Sequence, residues 1–157
     1  VLVSCGEPER ANIITVSYVG QLADHLVYVA IRPSRYSNEL IRKNKKFGVN
    51  YIDSKFVKEA DLCGIVSGRD VDKFELAGFT KEVYENGIPL VAEAPLSLEC
   101  DLVNVVNMGS HDIFIGKVKV ARRRKENSDW LFHDGFEYFD RKGVLGKLFN
   151  IGRSLMS

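Results

Sequence analysis

Between Leu96 and Val120 the sequence spells out one long antiparallel hairpin. Leu96, Leu98, Cys100 and Leu102 alternate with Ser97, Glu99 and Asp101, the period of two that sends each set to one face of a strand. Asn107-Met108-Gly109-Ser110 supplies a turn. His111–Val120 then returns with Phe114, Gly116, Val118 and Val120 on one face and His111, Ile113 and Ile115 on the other. That second face continues as Lys117 and Lys119, so it is apolar beside the turn and wet at the far end. A helix, a ligand or another subunit must cover part of it. In the first arm the apolar phase slips to Val103 and Val105, which predicts a β-bulge.

The rest of the chain is punctuated in the same way. Val1–Cys5, Asn12–Val19, Val27–Arg32, Phe47–Ile52 and Ile88–Ala92 read as further short strands rich in Val, Ile, Thr and Tyr. Helical spacing occurs from Ser37 to Lys46, where Arg42, Lys43, Lys45 and Lys46 crowd the C-terminal end, from Ser54 to Val66, and from Asp70 to Ala77 before Gly78. Many short strands with few helices predict a mainly β fold: an antiparallel barrel, closed so that no edge is left open, with helices capping it. The regular strand–helix alternation of a parallel doubly wound sheet is absent. With 157 residues, no internal repeat and no long linker, residues 1–157 are expected to form a single domain. Because the chain opens directly on a strand, a short upstream segment is expected to precede it.

Twenty-two Lys and Arg against 21 Asp and Glu leave a net charge of +1, so no global field draws this protein to nucleic acid or an acidic membrane. Any anion it holds is held locally. Arg122-Arg123-Arg124-Lys125 is accordingly read as a solvated hairpin tip. No apolar run approaches the ~20 residues of a membrane helix, and neither His25, His111 and His133 nor Cys5, Cys63 and Cys100 have metal-ligand spacing. The three widely spaced cysteines suit a reduced, cytoplasmic protein without a metal site.

The densest polar feature is Arg32-Pro33-Ser34-Arg35-Tyr36-Ser37, which leaves a strand and enters a helix. Two guanidiniums, two hydroxyls and the free N–H groups of a helix N-terminus are what holds a phosphate; the same run also suits an ordinary N-cap with Ser34 or Ser37 capping. Thr15 and Ser17 share one face of the Asn12–Val19 strand, as ligand-bonding hydroxyls or as plain β-formers. Ser67-Gly68-Arg69-Asp70-Val71-Asp72-Lys73-Phe74 is a turn and helix start, with Asp70 as a candidate N-cap. His111 opens its strand directly after a Gly-Ser turn, where an imidazole can donate to a bound ring.

Taken together, Asn12-Ile13-Ile14-Thr15-Val16, Arg32-Pro33-Ser34-Arg35-Tyr36-Ser37, Ser67-Gly68-Arg69-Asp70-Val71-Asp72-Lys73-Phe74 and Gly109-Ser110-His111-Asp112-Ile113-Phe114-Ile115-Gly116 resemble the flavin reductase-like FMN-binding split-barrel proteins, most closely the flavoredoxin branch. The resemblance spans nearly the whole chain. It implies a six-stranded Greek-key split barrel that forms a homodimer with FMN at the interface. Asn12, Thr15, Ser17 and Tyr18 would line the isoalloxazine and ribityl chain; Arg35 and Ser37, with Arg32 and Ser34 nearby, would hold the phosphate, and Lys73 would reach it from the second loop. His111 would lie beside the flavin as the catalytic residue. Many relatives carry Gly-Asp-His where this chain has Gly109-Ser110-His111, and Gly135-Phe136-Glu137-Tyr138-Phe139 resembles the family's Gly-x-Tyr ending with two residues inserted.

The resemblance implies an FMN-dependent oxidoreductase that takes hydride from NADH or NADPH and passes electrons onward. The alternative is a flavoredoxin-like electron carrier with tightly bound FMN, a redox-protein partner and no nicotinamide site. Gly109-Ser110-His111 and the Arg42–Lys46 cations tilt toward the carrier, although cations at a helix C-terminus are also what the helix dipole favours.

Overall fold

The computed structural model describes residues 1–133 and 137–147. Seven strands form one antiparallel sheet: β1 (Leu2–Cys5), β2 (Asn12–Thr15), β3 (Val19–Ala23), β4 (Leu26–Ile31), β5 (Lys46–Tyr51), β8 (Leu96–Asn107) and β9 (Asp112–Arg123). Helix α1 (Tyr36–Asn44) links β4 to β5. Between β5 and β8 lie α2 (Val57–Ile65), α3 (Lys73–Ala77) and a small hairpin of β6 (Lys81–Val83) and β7 (Pro89–Val91). Short strands β10 (Phe132–His133), β11 (Glu137–Asp140) and β12 (Gly143–Lys147) make a separate three-stranded sheet.

The strand order is β2-β1-β5-β8-β9-β4-β3, so the two edge strands are consecutive in sequence. Only Val16, Ser17 and Tyr18 connect them. A flat sheet of seven strands would be roughly 29 Å wide at ~4.8 Å per gap, whereas the four Cα steps from Thr15 to Val19 reach about 14 Å at most. The sheet must therefore curl until its edges approach one another. Val16 N–H still donates to the Val1 carbonyl (2.9 Å), beside β1, while the Tyr18 carbonyl already accepts from Ala30 N–H (3.0 Å), on β4. Ser17 is the residue that crosses from one edge to the other.

This corrects the closed barrel expected from the strand pattern and the six strands implied by the resemblance, while the split itself agrees with it. The single strand expected over Asn12–Val19 is two strands, which makes seven, and β2 and β3 do not pair with each other, so the ladder stays split at Ser17. The hairpin arms and the bulge agree with expectation: the β8–β9 register shifts between Leu102 and Asn104, and again between Glu99 and Cys100.

The concave face of the sheet is filled by Val3, Cys5, Ile14, Val16, Val29, Phe47, Cys100 and Phe114, closed off by Leu40 and Ile41 of α1. The outer faces of β1 and β2 are buried as well, because α2 and α3 pack Ala60, Cys63 and Phe74 against Leu2 and Ile13. Burial on both faces explains why Val1–Cys5 shows no polar alternation.

Three local expectations change for stated reasons. Ser97 and Glu99 occupy the polar parity of β8 yet are fully buried. Arg122 Nε donates to Glu99 (2.7 Å) and Asn86 Nδ2 assists (3.3 Å), while Arg124 bonds Glu82 (2.7 Å) and the Ser97 hydroxyl (2.9 Å). Arg122 near the end of β9 and Arg124 just past it are thus partly buried ion-pair partners, so the run is not a solvated hairpin tip, although Arg123 and Lys125 are exposed. The N-cap of α3 is Asp72, whose carboxylate accepts from Glu75 N–H (3.1 Å), so Asp70 is two residues outside the helix.

A Cβ on Gly116 would sit 2.5 Å from Phe47 Cζ and 2.9 Å from Cys100 Cβ, both in the concave core. Gly116→Ala should therefore cost about 1–3 kcal/mol, as overpacking does. Urea unfolding checks this, with a lowered midpoint at unchanged slope expected.

Candidate functional site

The run that leaves β4 turns at once: Arg35 N–H bonds the Arg32 carbonyl (3.1 Å), and α1 starts at Tyr36. Arg35 occupies the N-cap position with extended backbone, and no side chain caps the helix. Neither Ser34 nor Ser37 serves as the cap. The first amides of a nine-residue helix therefore remain available as donors, with the positive end of its dipole behind them.

A cavity of about 190 Å³ opens at this helix end, lined by Asn12, Ser34, Arg35, Ser37, Ser67, Gly68, Arg69 and Lys73 among others. Lys73, from the first turn of α3, is 3% exposed, and its Nζ donates to the Cys63 carbonyl (2.8 Å). No carboxylate pairs with it among the described residues. Desolvation pulls its pKa down to about 8, with Cys63 opposing that fall and Arg35 adding to it. Burying a cation beside a second cation is costly unless an anion joins them.

Asn12 is 2% exposed. Its Nδ2 donates to the Ser37 hydroxyl (2.9 Å), leaving its Oδ1 without a partner. Because a hydroxyl both donates and accepts, the amide keeps this bond when rotated by 180° and then turns N–H donors toward the cavity. Gly68 lies over the same amide: a Cβ there would come 2.1 Å from Asn12 Oδ1. Only glycine lets the second loop close on Asn12. Arg69 pins that loop down, bonding the Ser34 carbonyl (3.3 Å) and Glu39 (3.2 Å) with its guanidinium over the Tyr36 ring.

A wider cavity of about 350 Å³ shares Ile14 and Arg35 with the first. Thr15, Ser17 and Tyr18 from the sheet seam, Ala30 and Arg32 from the end of β4, Gly64 of α2, His111 and His133 form its walls. The Thr15 hydroxyl donates to the Ala60 carbonyl of α2, and the Ser17 hydroxyl bonds His133 Nδ1. At the mouth, the exposed ring of Tyr18 meets His111 edge-on at 5.3 Å. Partial burial, and secondarily the Arg32 charge, lower the His111 pKa, which favours the neutral imidazole.

All ten residues picked from the sequence thus line two adjoining cavities. Thr15, Ser17, Tyr18, Arg32 and His111 stand at the wide end, Asn12, Ser34, Ser37 and Lys73 at the narrow end, and Arg35 belongs to both. The sequence did not mark the anchor beneath them. Asp112, 3% exposed, accepts from Asn38 (2.9 Å), Asn107 (2.8 Å) and Arg42 (2.9 Å); these bonds, Asn38 foremost, hold its pKa down to about 2. They clamp α1 to the β8–β9 turn and so fix the helix N-terminus and narrow cavity relative to His111. The available signal was parity: Asp112 shares the buried face with Phe114 and Gly116. His133 was also missed. The Gly-x-Tyr comparison falls partly on residues 135 and 136, outside the described residues, while Tyr138 is a buried residue of the outer core.

The profile described as "Flavin reductase like domain" matches residues 1–140. The chain belongs to the flavin reductase-like family. Among solved structures it is similar to a flavoredoxin from Methanosarcina acetivorans, with a TM-score of 0.79 and 28% identity over 99% of this chain and 90% of the other. It also shares the fold of an FMN-binding protein from Thermus thermophilus crystallised with bound 1-cyclohex-2-enone, with a TM-score of 0.81 and 24% identity over 88% and 83% of the two chains. A flavin reductase of Pseudomonas putida is 31% identical over 109 residues, 68% of this chain and 61% of that protein. The matched region spans 37% and 64% of the first two curated relatives. No helix among the described residues is long and apolar enough to cross a membrane.

Lys73 gives a pH test of the buried cation. Its folded pKa lies below its unfolded value, so the unfolded chain binds more protons between about pH 8 and 10.5, and this group's penalty fades as pH rises through that window. Lys73→Met should be most stabilising below pH 8, with the advantage shrinking toward pH 10.5. Paired urea titrations across that range check it; a constant difference would mean that Lys73 is not buried as a cation.

Proposed function

We propose that the two cavities hold one FMN molecule and that the protein is a flavoredoxin-like electron carrier. The observation that carries this is the buried Lys73 without a carboxylate among the described residues, set with Arg35 and an uncapped helix N-terminus in the narrow cavity, which adjoins a wide one lined by Tyr18 and His111. A phosphate monoester supplies the missing anion; the aromatic, hydroxyl-lined end suits a flat heteroaromatic ring with polar edges. Asn12, Arg35, Ser37 and Lys73 would hold the phosphate end, and Thr15, Ser17, Tyr18 and His111 the ring end, with Arg32 and Ser34 at the loop between.

When bound, FMN supplies the redox chemistry, taking up and giving back electrons. The chain supplies position, donors and exclusion of water. Neutral His111, braced by Ser110 (2.9 Å) and edge-on to Tyr18, offers a hydrogen bond at the mouth without adding a charge there. Gly109-Ser110-His111 in place of Gly-Asp-His, together with the likeness to a flavoredoxin along almost the entire chain, supports the carrier with a redox-protein partner. The Pseudomonas putida relative supports the second reading, an NADH- or NADPH-dependent flavin reductase with His111 as its catalytic residue.

The expected partner is a second copy of this chain. Leu22 on β3 and Val103, Val106 and Met108 at the β8–β9 end are exposed large apolar side chains, the kind of surface an interface covers. A homodimer with FMN at its interface would also cover the half-buried Ile113 and Ile115. The composition of the chain gives no support to nucleic-acid or membrane partners, and the expected compartment is the cytoplasm.

Anaerobic spectroscopy of the FMN-loaded protein separates the readings. A carrier should stay yellow with NADH or NADPH and bleach with dithionite. Rapid bleaching by either nucleotide would instead establish the reductase, and failure to take up FMN would overturn both.

A further inference from the structure

The C-terminal hairpin contributes a polar group to the wide cavity that the proposed carrier chemistry leaves unassigned. His133 of β10 lines that cavity, and its Nδ1 is hydrogen-bonded to Ser17, the crossing residue of the sheet seam. Behind it, Tyr138 is its cross-strand neighbour on β11, with the two rings 4.4 Å apart. Tyr138 is fully buried, and its hydroxyl donates to Asp61 of α2 (3.0 Å). The imidazole is therefore held between a buried Tyr–Asp pair and the hydroxyl of Ser17, the residue that crosses between the sheet edges.

We infer that His133 is a positioning residue for the bound flavin: it decides whether the Ser17 hydroxyl presents a donor or an acceptor to the ring. This rests on the proposed FMN site. The chemistry follows from the Ser17–His133 hydrogen bond. A neutral imidazole with a bare Nδ1 accepts the Ser17 proton, which leaves only the oxygen lone pairs to face the cavity. A protonated imidazole carries N–H at Nδ1 and donates to the Ser17 oxygen, which frees the hydroxyl proton to turn into the cavity. Protonation at His133 thus inverts the polarity that Ser17 shows to the flavin. A reduced flavin holds more electron density at its ring edge than an oxidised one, so it gains more from a donor. Reduction and protonation of His133 favour each other.

Other ionisable groups face the same space. His111, Arg32 and Arg35 line the same cavity, and α2 carries Glu59, Asp61 and Cys63, with Asp61 bonded to Tyr138. Of these only His111 is another imidazole, so it is the control.

The test is the midpoint potential of the FMN-loaded protein measured against pH. The parent should show a steeper segment between about pH 5 and 8, where imidazoles titrate. That segment should disappear in both His133→Gln and Ser17→Ala, whereas His111→Gln, which alters the ring end itself, should shift the midpoint and keep the segment. Ser17→Ala is a small change at a half-buried position and decides the matter even where His133→Gln fails to fold. A steep segment retained in Ser17→Ala, or removed by His111→Gln alone, would overturn the inference. So would loss of flavin from both Ser17→Ala and His133→Gln, which would make the pair a binding element. Failure of the parent to bind FMN would overturn the cofactor assignment itself, a distinguishable outcome.

Discussion

Everything in this molecule depends on a three-residue crossing between the two edges of one sheet. Val16 is bonded on the β1 side and Tyr18 on the β4 side, so Ser17 must bridge the split. That requirement curls the sheet, creates the concave face that Phe47 and Phe114 fill, and leaves a seam where backbone pairing stops. A seam of this kind is where side chains can meet a ligand, since its polar groups are not consumed by a ladder. Thr15, Ser17 and Tyr18 line the wide cavity for that reason.

Electrostatics then give the seam its polarity. One end receives an uncapped helix, Arg35 and the buried Lys73; the other receives neutral His111 and the His133–Ser17 pair. Asp112 sets the distance between the ends, because its bonds to Asn38 and Arg42 of α1 and to Asn107 of the turn tie the two loops into one unit. The carboxylate is satisfied by three donors, so it serves as a clamp and leaves the cavity's positive end uncompensated. That imbalance is unfavourable in the empty protein and favourable once an anion enters.

The long hairpin, its bulge and the polar run at 32–37 were legible because each is local: alternation, phase slip and helix entry are all written over a few neighbouring residues. The split of Asn12–Val19 into two strands was not, because Val16 and Tyr18 both read as β-formers and only their non-local partners differ. Glu99 and Ser97 were misplaced for the same reason: polarity predicted a wet face, whereas Arg122, Arg124 and the β6–β7 hairpin cover it. The ten site residues came from local motifs and from the family resemblance together. His133 and Asp112 escaped because their partners are 116 and up to 74 residues away in sequence.

The central claim is that the narrow cavity holds a phosphate while the seam holds a flavin ring, and comparison of FMN with riboflavin tests it most directly. The two ligands share the ring and ribityl chain and differ only in the phosphate. With several charge-assisted bonds at about 1.5–3 kcal/mol each, FMN should bind at least about a hundredfold more tightly in a fluorescence titration of the flavin-free protein. Equal affinities, or no binding of either ligand, would contradict the account.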